Sequence, residues 1–347
     1  MPTNREKQGE AFIYKIDESK KQIEARHIRE FNKLYRRIGD DLINIVTNSN
    51  TFDFKQIIQN YKPDYIYIFR RIYQDVKENG FGFGIRKQLN FSGRNIIELK
   101  SIAVEKEGQI IINNRFDVLY TTLLNENPTK LVDNLLESEA TYFEGLYTNA
   151  QKQYVQYLQN IQKETDKTNA ELFLLAGAIL KSDIAKRKLL QKRLETLTKQ
   201  FARVRNEAKT ETVKQFKAEL QNNIPNRSES NAEYGVGRAS SEIREAEYQA
   251  IKQSQVREAI PPQITPAEQI TAGRFLAERI KKVWWEKSQF IKGAKPRQNH
   301  LSISGSEADS QGNFYVGGYE APHPRHENLP AKESVRCRCE IEYQVLE

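Results

Sequence analysis

Cysteine, methionine and histidine are scarce in this chain. Its 347 residues include two cysteines, one methionine and four histidines. Two cysteines cannot build the disulfide framework of a small secreted protein. Because Cys337 and Cys339 are only two positions apart, a bond between them would close a small, strained ring. The sequence therefore predicts reduced thiols, or thiols that bind a metal, rather than an oxidised fold.

Long apolar runs are also absent. The longest, residues 172–180, has nine residues, whereas a membrane-spanning helix needs about 20. Residues 1–8 are charged and lack the apolar stretch of a signal peptide. We therefore expect a soluble protein of a reducing compartment, with no membrane partner.

Most of the chain is patterned for helices. Apolar residues recur mostly every three, four or seven positions in residues 1–48, and they alternate at four and three between residues 190 and 208. This spacing predicts long helices that pair, as in an antiparallel pair or a coiled coil. After residue 297, short apolar segments are separated by glycine turns, and residues 339–345 alternate with period two, which is typical of strands. The predicted fold class is α+β, predominantly α-helical, with a helical body followed by a small β-rich C-terminal module.

The sequence divides into four regions. They are an N-terminal helical region with a short hairpin (1–125), a long-helix region (126–222), a linker with helices leading onward (223–296) and the small β-rich module (297–347). The hairpin is expected within residues 95–113. A linker is expected at 221–230, which contains Pro225 and three asparagines, and a helix carrying both tryptophans is expected at 267–290.

Positive charge is concentrated in one segment. Residues 181–217 contain twelve Lys and Arg against four Asp and Glu, a net charge of +8 that equals the net charge of the whole chain. A basic helix can follow the phosphates of double-stranded DNA, and the alternative is a solvated helix face that keeps the protein in solution. The candidate DNA-binding residues are Lys186, Arg187, Lys188, Lys192, Arg193, Arg203 and Arg205.

Metal-ligand residue types are concentrated near the C-terminus. Three of the four histidines and both cysteines lie between residues 300 and 339. Zinc takes four nitrogen or sulfur ligands, so His300, Cys337 and Cys339 with either His323 or His326 would complete a structural site. A module of about fifty residues has a marginal core, which such a site would stabilise. The alternative is that the cysteines pack in the core and the histidines are surface residues.

The same part of the chain contains an ordered series of motif residues. In sequence order these are Trp284, Arg297-x-x-His300, Gly305, Phe314, the proline-containing segment 322–324, Glu333 and Cys337-Arg338-Cys339. In this order they resemble the C-terminal module of the phage Mu F-like head morphogenesis proteins, which are minor head proteins of tailed bacteriophages. The resemblance covers residues 275–347. It departs from that family where Gly293 replaces an aspartate and where His323 or His326 replaces an acidic residue.

The resemblance implies a non-enzymatic virion component of the head interior or portal region, assembled in the host bacterial cytoplasm. Its implied partners are the phage portal protein, the major capsid or scaffold proteins, and DNA during packaging or ejection. The long helices add an expectation of oligomer formation.

Two other functions are compatible with the sequence. A zinc-dependent nuclease, or another DNA-processing enzyme, would use His300 and the cysteines for the metal and another histidine to activate water, and Glu307, Asp309 or Glu333 would be candidates for the general base. The sequence contains no His-Glu-x-x-His unit that would favour this alternative. A DNA-binding regulator would act through residues 181–217 and would show sequence preference.

Overall fold

The computed structural model describes residues 4–49, 51–78, 106–176, 181–253, 280–291, 295–334 and 337–345. Its helices are α1 (Asn4–Asn48), α2 (Phe54–Gln59), α3 (Lys62–Glu78), α4 (Lys106–Leu174), α5 (Lys181–Asn206), α6 (Ala208–Gln253), α7 (Gln298–Leu301) and α8 (Ala331–Ser334). Its strands are β1 (Ile280–Glu286), β2 (Phe314–Val316), β3 (Tyr319–Ala321) and β4 (Cys339–Val345), and a 3-10 helix (Lys287–Phe290) follows β1. The predicted fold class, α+β and mostly helical with strands near the C-terminus, is confirmed.

The chain forms two compact units that do not follow its order. Unit 1 comprises Met1–Phe31, Pro63–Val132 and Arg227–Glu347, and unit 2 comprises Asn32–Lys62 and Asp133–Asn226. The terminal strands therefore belong to the same unit as the beginning of α1 and the end of α6.

Unit 2 contains the predicted antiparallel helix pair. Its contacts run in opposite directions along α4 and α5: Tyr154 lies against the backbone of Val204, Tyr157 bonds with Gln200, and the Glu164 carboxylate pairs with an arginine of α5. The unit also has an aromatic cluster around Phe216. The centroid of its ring is 5.4 Å from that of Tyr147 and 6.4 Å from that of Phe54. Because Phe216 is fully buried, this cluster forms part of the unit's core.

Unit 1 packs its helices closely against one another and against the strands. A methyl group at Gly235 of α6 would lie 2.7 Å from the ring of Phe69 in α3, and one at Gly9 of α1 would lie 2.7 Å from the ring of Trp285 in β1. These glycines permit a helix approach that a larger residue would block.

Two small antiparallel sheets form the terminal part of unit 1. β1 pairs with β4 along their whole length, from Ile280 opposite Val345 to Glu286 opposite Cys339. β2 and β3 form a hairpin whose turn residues Gly317 and Gly318 both have positive φ, as a tight hairpin turn requires. The core between the sheets consists of apolar side chains, including Trp284, Phe314, Val316, Leu329, Ile341 and Tyr343.

Charged side chains are buried where β4 meets the helices. Glu340 is 2 % exposed, and its carboxylate faces Lys20 of α1, Arg244 of α6 and Arg325. The Arg244 Nη2 to Glu340 Oε2 distance is 2.6 Å. One carboxylate is therefore paired with three buried cations, two of which belong to helices.

Three expected elements differ from the structure. The linker prediction at residues 221–230 is wrong, since these residues lie within α6. The helix prediction at 267–290 is wrong from Ile280 onward, because both tryptophans lie in β1. Residues 106–113 of the expected hairpin belong to α4, and its residues 95–105 lie outside the described part of the chain.

Among the described residues, none of the helices contains an apolar stretch that is long enough to cross a lipid bilayer.

Candidate metal centre

His300, Cys337 and Cys339 form one buried cluster. Each offers a ligand atom, and these three atoms all lie within 4.8 Å of one another. The His300 Nδ1 atom is 3.2 Å from Cys339 Sγ and 3.6 Å from Cys337 Sγ. None of the three residues is more than 4 % exposed. The cluster can bind a metal ion, as expected from the concentration of these residue types.

Local structure explains how the three residues meet. His300 lies in α7, whose first turn is closed by hydrogen bonds from the His300 and Leu301 amides to the Arg297 carbonyl. Cys337 and Cys339 are both buried while Arg338 between them is exposed. This is the alternation of an extended chain, in which residues two positions apart face the same side.

Glu286 lies beside the cluster. The thiol of Cys339 donates a hydrogen bond of 2.7 Å to Glu286 Oε2, and the same oxygen is 3.7 Å from His300 Nδ1. The other oxygen, Oε1, accepts a hydrogen bond of 3.0 Å from the Ser288 amide. Burial alone raises the pKa of Glu286, but hydrogen bonds from His300, Cys339 and Ser288 lower it to about 2. The Glu286 carboxylate is therefore ionised at neutral pH.

Glu333 forms a hydrogen bond with the ring nitrogen of His300 that faces away from the cysteines. Its Oε2 atom is 3.0 Å from His300 Nε2 and accepts a second hydrogen bond, 2.7 Å long, from the Asn299 side-chain amide. Since the carboxylate accepts from Nε2–H, the Nδ1 atom is directed toward the two sulfur atoms. A carboxylate that orients a ligating histidine in this way is a recurrent feature of metal sites. Gly317 leaves space for the hydrogen bond between Asn299 and Glu333, because a methyl group at this position would lie 2.8 Å from the Asn299 amide nitrogen.

Charge is shared unequally among the three donors. Burial alone lowers the pKa of His300, but Cys337, Glu286 and Glu333 raise it to about 9. Burial alone raises the pKa of Cys337, and its contacts with Cys339 and His300 lower it well below its usual value. Burial and the neighbouring Cys337 raise the pKa of Cys339 well above its usual value. Zinc binds cysteine as the thiolate and histidine as the neutral imidazole, so any proton on these donors must leave before a metal can bind.

Of two further motif residues, Trp284 contacts the histidine and Gly305 bonds with Trp284. The rings of Trp284 and His300 make an edge contact, with centroids 6.1 Å apart. The Trp284 carbonyl accepts a 2.6 Å hydrogen bond from the Gly305 amide. Gly305 has a φ of +81°, which a residue with a side chain rarely adopts. Trp284 therefore contacts the cluster through its ring and Gly305 through its backbone.

The structure does not bring His323 and His326 to this cluster. Their rings contact each other, with centroids 4.9 Å apart, and His323 bonds with the Pro324 carbonyl. Burial, together with the neighbouring His326, lowers the pKa of His323 to about 4, even though Glu242 and Glu245 of α6 partly oppose the shift.

The acidic residues considered as general bases have separate positions. Glu307 pairs with Arg5 and Lys281, and Asp309 accepts hydrogen bonds from backbone amides of its own turn. Of the three, Glu333 is the one that contacts the cluster.

The candidate DNA-binding residues lie on α5. All are exposed except Arg187, which is half-buried and bonds with the carbonyl of Ala176, and Arg193 is paired with Glu164. The predicted apolar seam is on the same helix, where Leu190 and Val204 are buried.

Sequence reasoning missed Glu286 and the contact between Glu333 and His300. Glu286 follows two tryptophans in a segment that was predicted to be helical, and it comes opposite Cys339 only through the pairing of β1 with β4. The period-two pattern of residues 339–345 was the one available signal that Cys339 would need a partner strand.

The chain was compared with protein-family models, with curated proteins and with solved structures, and none of them matches it.

Proposed function

We propose that this protein is a bacteriophage minor head protein that takes part in head morphogenesis. One observation carries the proposal: Trp284, His300, Cys337 and Cys339, four of the motif residues that resemble the phage Mu F-like proteins, lie together in one buried region, and a fifth, Gly305, bonds with the Trp284 backbone. In the proposed role the protein associates with the portal and the inner capsid, and it contacts DNA during packaging or ejection.

The proposal is tested on purified phage particles from a host that carries this gene. Mass spectrometry should detect the chain in mature heads at a small fraction of the major capsid protein. Heads from a deletion mutant should be fewer or should lack packaged DNA. A chain that is absent from heads and whose deletion leaves particle yield unchanged would rule out the proposal.

We further propose that the metal is zinc and that its role is structural. Two thiolates and one imidazole are donors that zinc prefers. The donors come from α7, from β4 and from the residue pair just before it, so a bound ion would tie these segments together. Burial of all three donors favours this role over the nuclease alternative, in which a phosphate would have to reach the ion.

The zinc proposal has its own measurement. Elemental analysis of the full-length protein should find about one zinc per chain. The double variant Cys337→Ser with Cys339→Ser should lose the zinc, unfold at a lower temperature and enter heads less efficiently. Tyr315→Ser, at an exposed position of β2, is the control and should behave as the unmodified protein. Cleavage of DNA that is lost in His300→Ala would instead favour the nuclease.

The basic face of α5 is proposed to bind DNA without sequence preference. Its support is the exposure of six of the seven candidate residues, since phosphate binding needs accessible cations. The triple variant of Lys186, Lys188 and Lys192 to Gln should weaken binding equally on unrelated sequences and reduce its salt dependence. The matched control carries three exposed lysines of other helices changed to Gln: Lys33, Lys55 and Lys152. Binding that depends strongly on base sequence would favour a regulator.

A further inference from the structure

We infer that Glu286 is the fourth ligand of the zinc ion, and that the site is a closed one with two cysteines, one histidine and one glutamate. This inference rests on the zinc proposed above and identifies the ligand that the sequence left open. It also predicts that no coordination position is available for a substrate.

The backbone itself brings Glu286 to the site. Glu286 and Cys339 are directly opposed in the antiparallel pairing of β1 with β4. Directly opposed residues place their side chains on the same face, with Cβ atoms about 4.5–5.5 Å apart. Glu286 is 3 % exposed, so the protein encloses its carboxylate with the thiols.

The distances from the histidine nitrogen to the other three donor atoms suit a tetrahedral ion. Zinc bonds of about 2.3 Å to sulfur and about 2.0–2.1 Å to nitrogen or oxygen separate N and S donors by about 3.6 Å and N and O donors by about 3.3 Å. From His300 Nδ1, the two sulfur atoms are 3.2 and 3.6 Å away and Glu286 Oε2 is 3.7 Å away. Of the six separations among four ligands, the three that start at His300 Nδ1 are therefore met within about 0.4 Å.

Two separations differ from those of a bound zinc. Glu286 lies outside the group of donors whose atoms are all within 4.8 Å of one another, so its oxygen would have to move toward Cys337 Sγ to reach the separation of about 3.6 Å that a shared ion requires. The separation from Cys339 is instead shorter than a zinc site requires, and hydrogen bonding explains it. Cys339 Sγ and Glu286 Oε2 are 2.7 Å apart because the thiol proton lies between them. A zinc ion would replace that proton and separate the two atoms to about 3.6 Å. The bond thus marks the position at which a cation would bridge the same two atoms.

Each flanking group leaves one donor atom free for the metal. Glu286 Oε1 is held by the Ser288 amide, which leaves Oε2 as a single oxygen ligand. His300 Nε2 is held by Glu333, which leaves Nδ1. Both orientations are fixed by groups outside the cluster, so the donors are positioned before an ion arrives.

The consequence is a saturated ion. Structural zinc sites have four protein ligands, whereas catalytic ones retain an open position for water or substrate. With Glu286 as a ligand the site belongs to the first class. The ion then ties β1 to α7 and β4.

The experiment measures zinc affinity of the full-length protein by competition with a coloured chelator. Glu286→Ala should bind zinc at least tenfold more weakly, and Glu320→Ala, exposed on β3, should stay within about threefold of the unmodified protein. Glu333→Ala should also weaken binding, about 10–100-fold, because Glu333 orients the histidine. Cobalt absorption separates the two roles: Glu333→Ala should retain the tetrahedral spectrum of the unmodified protein, and Glu286→Ala should change it.

A second variant decides the matter if Glu286→Ala does not fold. In Glu286→His an imidazole replaces the carboxylate, and the cobalt absorption should shift because a nitrogen donor replaces an oxygen donor. An unchanged spectrum, or threefold or smaller effects of Glu286→Ala, would overturn the assignment of Glu286 while leaving the zinc in place. Failure of the unmodified protein to bind zinc or cobalt would overturn the proposed zinc itself.

Discussion

The substitution Glu340→Gln tests the buried charges on which β4 packs. Glu340 is the shared partner of Lys20, Arg244 and Arg325. Burial alone raises the pKa of Glu340, but these three cations lower it to about 2 from an ordinary value of 4.5. Glutamine has nearly the same shape, so the substitution removes the charge with little change in packing.

The expected cost follows from that shift in pKa. A difference of about 2.5 pKa units corresponds to about 3 kcal/mol, which agrees with the 3–5 kcal/mol typical of breaking a buried ion pair. Burial lowers the pKa of Lys20 to about 8, and Arg244 and Arg325 contribute to this shift. Without Glu340, Lys20 would lose its proton near neutral pH, while the two arginines would stay charged and would lose this carboxylate partner.

Thermal unfolding measures this effect. For a cooperative unit of 150–250 residues, a loss of about 3 kcal/mol lowers Tm by about 6–12 °C. Glu327→Gln, the same change at an exposed position, is the control and should shift Tm by less than about 2 °C.

Acidity provides a second check. Because the folded pKa of Glu340 is depressed, its stabilisation is complete above pH 4.5 and is lost as the pH falls toward 2. The difference between variant and unmodified protein should therefore fall to less than half at pH 3. A Tm equal to that of the control, or a penalty that does not change with pH, would refute the reasoning.

Three other substitutions test the packing of α1, the titration of a buried histidine and the core of unit 2. Gly9→Ala would put a methyl group within 2.8 Å of the Trp285 ring and should lower the free energy of unfolding, measured in urea, by about 1–3 kcal/mol. Its control, Gly145→Ala, lies in open space on a helix and should be neutral or stabilise the protein by about 0.5–1 kcal/mol. Equal effects of the two substitutions would contradict the close packing at Gly9. The pKa of His323 is lowered from 6.5 to about 4, so the unfolded state binds more protons than the folded state between these two pH values. About 3 kcal/mol of the free energy of unfolding is therefore lost as the pH falls from 6.5 to 4. His323→Gln should make the free energy of unfolding less dependent on pH in this range. Phe216→Ala should cost about 3–5 kcal/mol, whereas Phe173→Ala, at a position 81 % exposed, should cost less than about 0.5 kcal/mol. Similar losses for the two phenylalanines would place the core elsewhere.

Periodicity predicted the helical body well, but it failed where a local rule conflicted with packing. Pro225 suggested a linker because proline costs about 3 kcal/mol within a helix. Leu220 and Ile224 are nevertheless buried, and both pack toward Gly39 of α1. Their spacing of four continues the apolar face of α6 through the proline, and tertiary contacts therefore outweigh the local preference.

The tryptophans illustrate a different limit. Trp284 and Trp285 are adjacent and both almost fully buried, which is possible in a strand that is covered on both faces. A short apolar segment of this kind cannot be assigned to helix or strand by periodicity alone. The pairing partner, β4, comes more than fifty positions later in the chain.

Proximity in sequence predicted only part of the site. His300, Cys337 and Cys339 were recognised because scarce residue types were concentrated in one segment. Glu286 is 53 positions from Cys339, and glutamates are common in this chain, so composition could not select it. Glu286 lies beside Cys339 because of the pairing register of β1 and β4, which exists only in the folded protein.

The ion cluster around Glu340 limits how the chain can be shortened. A fragment that begins at residue 297 would lack β1, leaving the edge of β4 open to pairing with other molecules. It would also leave Glu340 without Lys20 and Arg244, which lie in α1 and α6. Expression of the terminal residues alone should therefore yield aggregated material, and smaller functional versions of the protein would have to retain both helices.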